Sequence, residues 1–295
     1  MGTKNKSIMD EVTAKRLAVV RHLYQQGVRL SQTGEPTNGL SVLSFHDSVE
    51  MFMKICADAQ NIRIDRKTNF MDYFEKVPNM KCKAQMDKLN NQRVGLKHHG
   101  TIPSTLDVEI SRTNVADFFQ QNCSAFFGVT LEDVSLEVLI SYIEVKKYLS
   151  KYHEFMNTGN YAEAQAQCQI AFKELLVAYH QHYDRRVDLR NMPAHNASWL
   201  SSPHLEDKTD RYLKKVKEDL LNINEAISIM NLGLNYYKYS EFKALGPQVH
   251  RWGENGEYDV GIFNKSLYSK ITAEACYSFV LDSALKLQHS KLFLY

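Results

Sequence analysis

The recurrence of apolar residues at steps of three and four positions most constrains how this chain can fold. Residues at that spacing lie on one face of an α-helix, so a stretch that repeats it predicts an amphipathic helix. The pattern covers eight long stretches: 8–32, 40–60, 81–98, 113–127, 135–157, 160–183, 206–232 and 272–289. The sequence therefore predicts an all-α protein.

Turn-forming residues separate several of these stretches. Gly, Pro and Asn cluster at 33–39 and 157–160, and "TIPST" at 101–105 places a proline shortly after Gly100; all three segments favour breaks between helices. After the second break, Asp107 and Thr113 are candidate starts of the next helix. Residues 41–60, "SVLSFHDSVEMFMKICADAQ", carry a continuous apolar stripe that is typical of a central bundle helix.

The last part of the chain has a different amino-acid composition. From residue 233 onward it is rich in aromatic and turn residues, and "GENGE" at 253–257 predicts a short hairpin before one final helix. We therefore predict three segments: a helical bundle at 1–132, a second helical region at 133–232 and a mixed C-terminal segment at 233–295.

Composition excludes several classes of protein. The 295 residues are 44% hydrophobic with a net charge of +2, which suits a globular core and leaves polyanion binding to a local patch. No apolar run has the length of a signal peptide or a membrane span, so we expect a cytoplasmic protein without a membrane partner. The five cysteines are widely spaced and odd in number, which favours reduced core thiols over disulfides or a zinc site.

Motifs for cofactors and metals are also missing from the sequence. There is no P-loop, dinucleotide-binding fingerprint, nucleophile elbow or kinase signature. His180 and His182 alternate, a spacing that points two helical side chains to different sides. We therefore predict neither a cofactor nor a metal site.

Residues 89–100, "LNNQRVGLKHHG", hold the strongest candidate site. Asn90, Arg93 and Lys97 share one helical face, whereas Arg93 and His98 are five positions apart and would point about 140° away from each other on one helix. If the helix ended near Gly95 or after Lys97, His98 could turn back beside Arg93.

The residue types at this site suit cleavage of RNA without a metal. Arginine holds a phosphate with two hydrogen bonds, and histidine, whose ordinary pKa is about 6.5, can accept a proton from a ribose 2′-hydroxyl and return one to the leaving oxygen. The attack would give a 2′,3′-cyclic phosphate, so the substrate would be RNA. Asn90 or Asn91 could orient the imidazole or the phosphate.

The Arg-x-x-x-x-His of "RVGLKH", its leading asparagines and the preceding "FHDSVEMFMKI" helix with Glu50 resemble HEPN domains, helical bundles of many prokaryotic RNases in antiviral and toxin systems. The resemblance covers roughly residues 10–130. It implies a bundle of four or five helices and a homodimer whose composite active site brings together Arg93 and His98 of two subunits. Val94 stands where the family often has a polar residue.

A second copy of the spacing occurs in "DLRNMPAHN", where Arg190 and His195 are again five apart and Asn191 is the polar residue after the arginine. Pro193 excludes a regular helix there, so an ordinary loop is the competing interpretation. If both copies act, one chain could build a two-motif site internally. Just upstream, Arg185 and Arg186 are either an RNA-binding patch or a solvated surface.

Two functional hypotheses follow. The first is a metal-independent endoribonuclease of a prokaryotic antiviral or toxin–antitoxin system, in which Arg93 binds phosphate, His98 is the acid and base, and Lys97 contacts RNA. The second is a degenerate HEPN module that binds RNA or a partner protein of a defence complex without catalysis. Basic residues before Gly100 also suit an ordinary helix end, since they interact favourably with its dipole.

Overall fold

A computed structural model describes residues 10–182, 207–252, 257–262 and 268–289 of the chain. In these residues the fold is mainly α-helical, with one small two-stranded sheet, so the all-α prediction is confirmed. The chain divides into two compact units, Met1–Leu139 and Ile140–Tyr295. The sequence predicts boundaries after residues 132 and 232, whereas the structure divides the chain once, after Leu139.

From residue 10 onward, where the structure describes it, the first unit contains five α-helices, with short 3-10 turns at Thr37–Leu40, Phe70–Asp72 and Leu136–Leu139. The helices are α1 Glu11–Ser31, α2 Ser41–Ala59, α3 Tyr73–Lys76, α4 Lys83–His99 and α5 Thr105–Phe127. Their positions follow the apolar periodicity closely. The main exceptions are α3, which is too short to show a period, and α5, which begins earlier than expected.

The early start of α5 is explained by its N-terminal cap. The Ser104 side chain accepts a hydrogen bond from the Asp107 backbone N–H, and the Asp107 carboxylate accepts one from the Ser104 N–H. This reciprocal capping box satisfies N–H groups that a helix start otherwise leaves free. Asp107 is therefore the third residue of the helix rather than its first, and the predicted starts at Asp107 and Thr113 are wrong.

Helix α2 is the centre of the first unit, as its stripe predicts. It packs against α1, α3, α4 and α5. Phe52 is fully buried and meets the rings of Phe118, Phe119 and Phe127 edge-on at centroid distances of 5.6, 5.5 and 5.7 Å. Such edge-to-face packing adds to the energy of burying apolar surface. Gly27 lets α1 approach closely, since a Cβ there would lie 2.6 Å from Cδ1 of Phe45.

The second unit contains five α-helices and a hairpin in its described residues. They are α6 Ile143–Asn157, α7 Tyr161–His182, α8 Asp207–Asn231, α9 Tyr236–Leu245, β1 Gln248–Trp252, β2 Glu257–Gly261 and α10 Lys270–His289. Strands β1 and β2 pair antiparallel, from Gln248 opposite Gly261 to Trp252 opposite Glu257, as expected of the predicted hairpin.

Helix α7 carries the core of this second unit. Its apolar stripe packs against α6 and α10, and Phe172 contacts the rings of Tyr239, Phe242 and Phe279. The hairpin is attached to the same helix because Tyr258 donates a hydrogen bond of 2.5 Å to Glu174 and Lys173 donates one to the Val249 carbonyl.

The five cysteines are free thiols, four of them buried and Cys82 half-buried. Burial raises the pKa of Cys123 and Cys276 to about 12, which disfavours the reactive thiolate. We therefore expect a thiol-specific disulfide reagent to label Cys82 first in the native protein and all five cysteines only after unfolding. Peptide mapping by mass spectrometry checks this; early labelling of Cys123 would contradict the packing of the first unit.

Candidate functional site

Helix α4 runs without a break through the whole Arg93–His98 motif and ends at Gly100. Gly100 has a φ of 67°, its N–H donates to the Leu96 carbonyl at 3.2 Å, and the Thr101 N–H donates to Gly95 at 3.1 Å. Of the two alternatives, a helix that ends near Gly95 or after Lys97 is thus excluded, and a meeting of Arg93 and His98 across an interface stays open. One internal glycine costs a helix only about 1 kcal/mol, whereas Gly100 adopts the left-handed conformation that closes a helix.

The continuous helix separates the two motif residues within one chain. On a regular helix, Arg93 and His98 point about 140° apart, so they do not share a cleft in one chain. Arg93 is half-buried, and both Lys97 and His98 are exposed in the last turn. Exposure of His98 excludes the alternative in which its ring is a core residue. It leaves an imidazole accessible to a ligand or a second chain.

The half-buried side of α4 faces a polar residue of α2. The His46 side chain is only 3% exposed, and its Nε2 lies 3.3 Å from Oδ1 of Asn90. Because Asn90 Oδ1 is an acceptor, this contact assigns the ring hydrogen to Nε2. One face of the imidazole ring stacks on the ring of Phe70, with centroids 4.2 Å apart and planes inclined by 26°. These contacts fix the imidazole in one orientation.

Two carboxylates lie on the other side of the same imidazole. His46 Nδ1 is 3.6 Å from Oδ1 of Asp47 and 3.9 Å from Oε2 of Glu50, and it makes no hydrogen bond. Glu50 also accepts a hydrogen bond of 2.6 Å from Lys54. Since His46, Glu50 and Lys54 follow one another at four-residue steps, one face of α2 carries this polar row.

Arg93 supplies a positive charge near this row. Burial is the main cause that lowers the pKa of His46, and the Arg93 guanidinium is the second, while Glu50 and Asp47 act in the opposite direction. Burial and the nearby guanidinium therefore both favour the neutral form of the imidazole. The structure thus brings together Asn90, Arg93 and Glu50, all named from the sequence, with His46.

The remaining residues of the first motif lie elsewhere on α4. Asn91 is exposed and donates to Asp87 at 3.4 Å, one turn earlier on the same helix. Gln92 accepts a hydrogen bond from Ser111 of α5 and donates to the Asp107 carbonyl. Asn91 is therefore not placed beside His46, whereas Asn90 is.

The second motif and its basic patch lie outside the described residues. This applies to Arg190, Asn191 and His195, and to Arg185 and Arg186. Their predicted roles stay predictions.

Sequence reasoning missed His46, Asp47 and Lys54. A signal for His46 was present, since "HDSVE" places His46 and Glu50 four residues apart on a helix that was itself predicted correctly. Nothing in the sequence alone shows that Asn90, on a different helix, meets that histidine. In the part of the chain that the structure describes, His46, Asp47 and Glu50 are also the only group with a metal-ligand donor set, and their donor atoms lie within 4.8 Å of one another.

Comparisons with known proteins give no family assignment: no protein-family model matches the chain, and neither curated proteins nor solved structures match it significantly. The resemblance to HEPN domains therefore stays a hypothesis that depends on the motif. None of the described helices has the length and apolar character needed to cross a bilayer.

Proposed function

We propose that this protein is a metal-independent endoribonuclease whose active site forms between two copies of the first unit. The observation that carries the proposal is the placement of Arg93 and His98 on one continuous helix, with Arg93 beside a fixed polar cluster and His98 exposed. A phosphate-binding cation and an accessible imidazole are the two groups that cleavage through a 2′-hydroxyl requires.

A two-fold axis can unite residues that one helix keeps apart. If two α4 helices cross antiparallel about a point midway between residues 95 and 96, Arg93 of one chain lies opposite His98 of the partner subunit. The helical sector between Arg93 and His98 also contains Val94 and Lys97. Val94, the apolar departure from the family pattern, would then be a contact between subunits rather than a missing phosphate ligand.

Apolar side chains just after α4 suit such a second copy. Ile102, Leu106 and Ile110 are 51%, 70% and 42% exposed, although each is large and apolar. We expect Leu106→Glu to convert a dimer into a monomer and to abolish cleavage, because a carboxylate would be buried in the interface. Light scattering coupled to size-exclusion chromatography measures the first effect; a Leu106→Glu dimer with full activity would contradict this interface.

In the proposed reaction, His98 accepts the proton of the ribose 2′-hydroxyl while that oxygen attacks the adjacent phosphorus. The bond from phosphorus to the 5′-oxygen breaks, and this oxygen receives a proton from the imidazolium. The products are a 2′,3′-cyclic phosphate and a 5′-hydroxyl end. Arg93 holds the non-bridging oxygens and stabilises the charge that builds up on them, with Lys97 in reach of the neighbouring backbone.

The direct test is incubation of the protein with total RNA in the presence of a strong chelator. We expect cleavage to persist and the new 3′ ends to carry cyclic phosphate, which identifies attack by the 2′-hydroxyl. Loss of all cleavage under chelation would assign the activity to a metal nuclease. The resemblance to HEPN domains further suggests a role in a prokaryotic antiviral or toxin system.

A binding module without catalysis is the second candidate function. It is favoured by the separation of Arg93 from His98 within one chain, which leaves a basic helix end and no complete site if the chain stays monomeric. A binding module would form a stoichiometric complex with RNA or with a partner protein, and incubation with RNA would yield no cyclic phosphate ends.

A further inference from the structure

We propose that His46, Asp47 and Glu50 form a binding site for a divalent transition-metal ion, most suitably Zn²⁺. One imidazole nitrogen with two carboxylate oxygens is a common donor set for this ion. The site lies on α2 and uses neither Arg93 nor His98, so it does not depend on the proposed function. The usual sequence patterns of metal sites do not cover it, because its ligands are neither cysteines nor paired histidines.

The Nδ1 atom of His46 is available as a metal ligand. The side chain is almost completely buried, and Nδ1 has no hydrogen-bond partner. Since Nε2 carries the ring hydrogen toward Asn90, Nδ1 presents a lone pair, and it does so toward two other acceptors. Three electron-rich atoms that face one another without a shared hydrogen are a favourable place for a cation.

The spacing of the donor atoms also suits a bound ion. Nδ1 lies 3.6 Å from Asp47 Oδ1 and 3.9 Å from Glu50 Oε2. A tetrahedral Zn²⁺ with bonds of about 2.0–2.1 Å requires donor atoms about 3.3 Å apart, so small side-chain rotations close the site. Asp47 is 63% exposed, which leaves a path for the ion and room for water as a fourth ligand.

Contacts behind His46 and Glu50 hold these two ligands in place. Metal-bound histidines usually donate their second ring N–H to an oxygen acceptor, and Asn90 Oδ1 is placed as that acceptor for His46. Phe70 holds the ring plane, and Lys54 binds the Glu50 oxygen that faces away from His46. His46 and Glu50 are therefore already oriented before an ion arrives.

The test is titration of the metal-free, tag-free protein with Zn²⁺ against a chromophoric chelator. We expect one ion to bind with micromolar or higher affinity, and Asp47→Asn and Glu50→Gln each to weaken binding by about tenfold or more. Asp87→Asn, the same change at an exposed position of α4, is the matched control and should leave this affinity unchanged. No binding by the native protein, or equal binding by all variants, would overturn the proposal.

Two further measurements distinguish this site from the cysteines and from the proposed active site. Bound Co²⁺ should show no thiolate charge-transfer band, because the ligands are nitrogen and oxygen; such a band would overturn the assignment. Arg93→Gln should tighten Zn²⁺ binding, since it removes a nearby positive charge, although the same variant is expected to lose RNA cleavage. A failure of the RNA experiments therefore leaves this inference standing, and the reverse also holds.

Discussion

His98→Ala is expected to reduce RNA cleavage by about two to four orders of magnitude, the usual contribution of a general acid and base. The imidazole is the one group of the proposed site that moves protons, and alanine cannot replace it. Rates of formation of cyclic phosphate ends on a defined RNA measure the effect. His98 is exposed at the end of α4, so its removal should leave the helix content and the unfolding midpoint unchanged.

His99→Ala is the matched control for this prediction. It removes the same side chain from an equally exposed position in the same turn, but one that points about 100° away. Cleavage by this variant should be close to that of the native protein. If both alanine variants cleave RNA at the native rate, the assignment of His98 is wrong.

Mixing two inactive variants tests whether the site is shared between subunits. Arg93→Ala and His98→Ala homodimers should each be inactive, whereas a heterodimer keeps one Arg93 opposite one intact His98. With random exchange, about a quarter of the native activity should return, because half of the dimers each recover one of two sites. Absence of any recovery after verified subunit exchange would contradict the composite site.

The second Arg-x-x-x-x-His motif calls for a parallel pair of variants. If Arg190→Ala and His195→Ala abolish cleavage while Arg93→Ala and His98→Ala do not, the active motif is the second one. Loss of activity in both sets would indicate that the two motifs act in one site.

The second substitution for which we expect a large effect concerns the stability of the first unit. Phe52→Ala is expected to lower the free energy of unfolding of the first unit by about 3–5 kcal/mol. Phe52 is fully buried, and its ring meets three phenylalanine rings that cannot collapse into the space left by alanine without moving α5. Urea unfolding followed by far-ultraviolet circular dichroism measures the change.

Both tryptophans, Trp199 and Trp252, belong to the second unit, so the first unit has no tryptophan of its own whose fluorescence could follow its unfolding. Hydrogen exchange of peptides from α2 and α5 should therefore accompany the urea experiment, and Phe52→Ala should raise exchange there. Val12→Ala, at a position of α1 that is 69% exposed, should change the free energy of unfolding by no more than about 0.5 kcal/mol. Equal stabilities of the two variants would contradict the central role of α2.

Local pattern was sufficient for most of the helices and insufficient for their ends. Helices α1, α2, α6, α7 and α10 bury continuous stripes, so the period of the apolar residues locates them. The start of α5 depends on a reciprocal cap between Ser104 and Asp107. Such ends depend on a few side-chain contacts, which the period of a stripe does not report.

For the candidate site, too, the sequence determined some features and left others to the packing of the helices. The residue types at 89–100 determined which chemistry was possible, since arginine, histidine and asparagine carry their functional groups in any fold. Sequence spacing also determined that Arg93 and His98 cannot meet on one regular helix, because the angle per residue is fixed.

Only the tertiary structure decided that α4 continues to His99, that His98 is exposed, and that Asn90 meets His46. The last contact joins residues 44 positions apart on two helices, and its existence depends on how α2 and α4 pack rather than on either segment. Sequence thus determined the helices and the chemical groups, whereas packing selected which groups became neighbours.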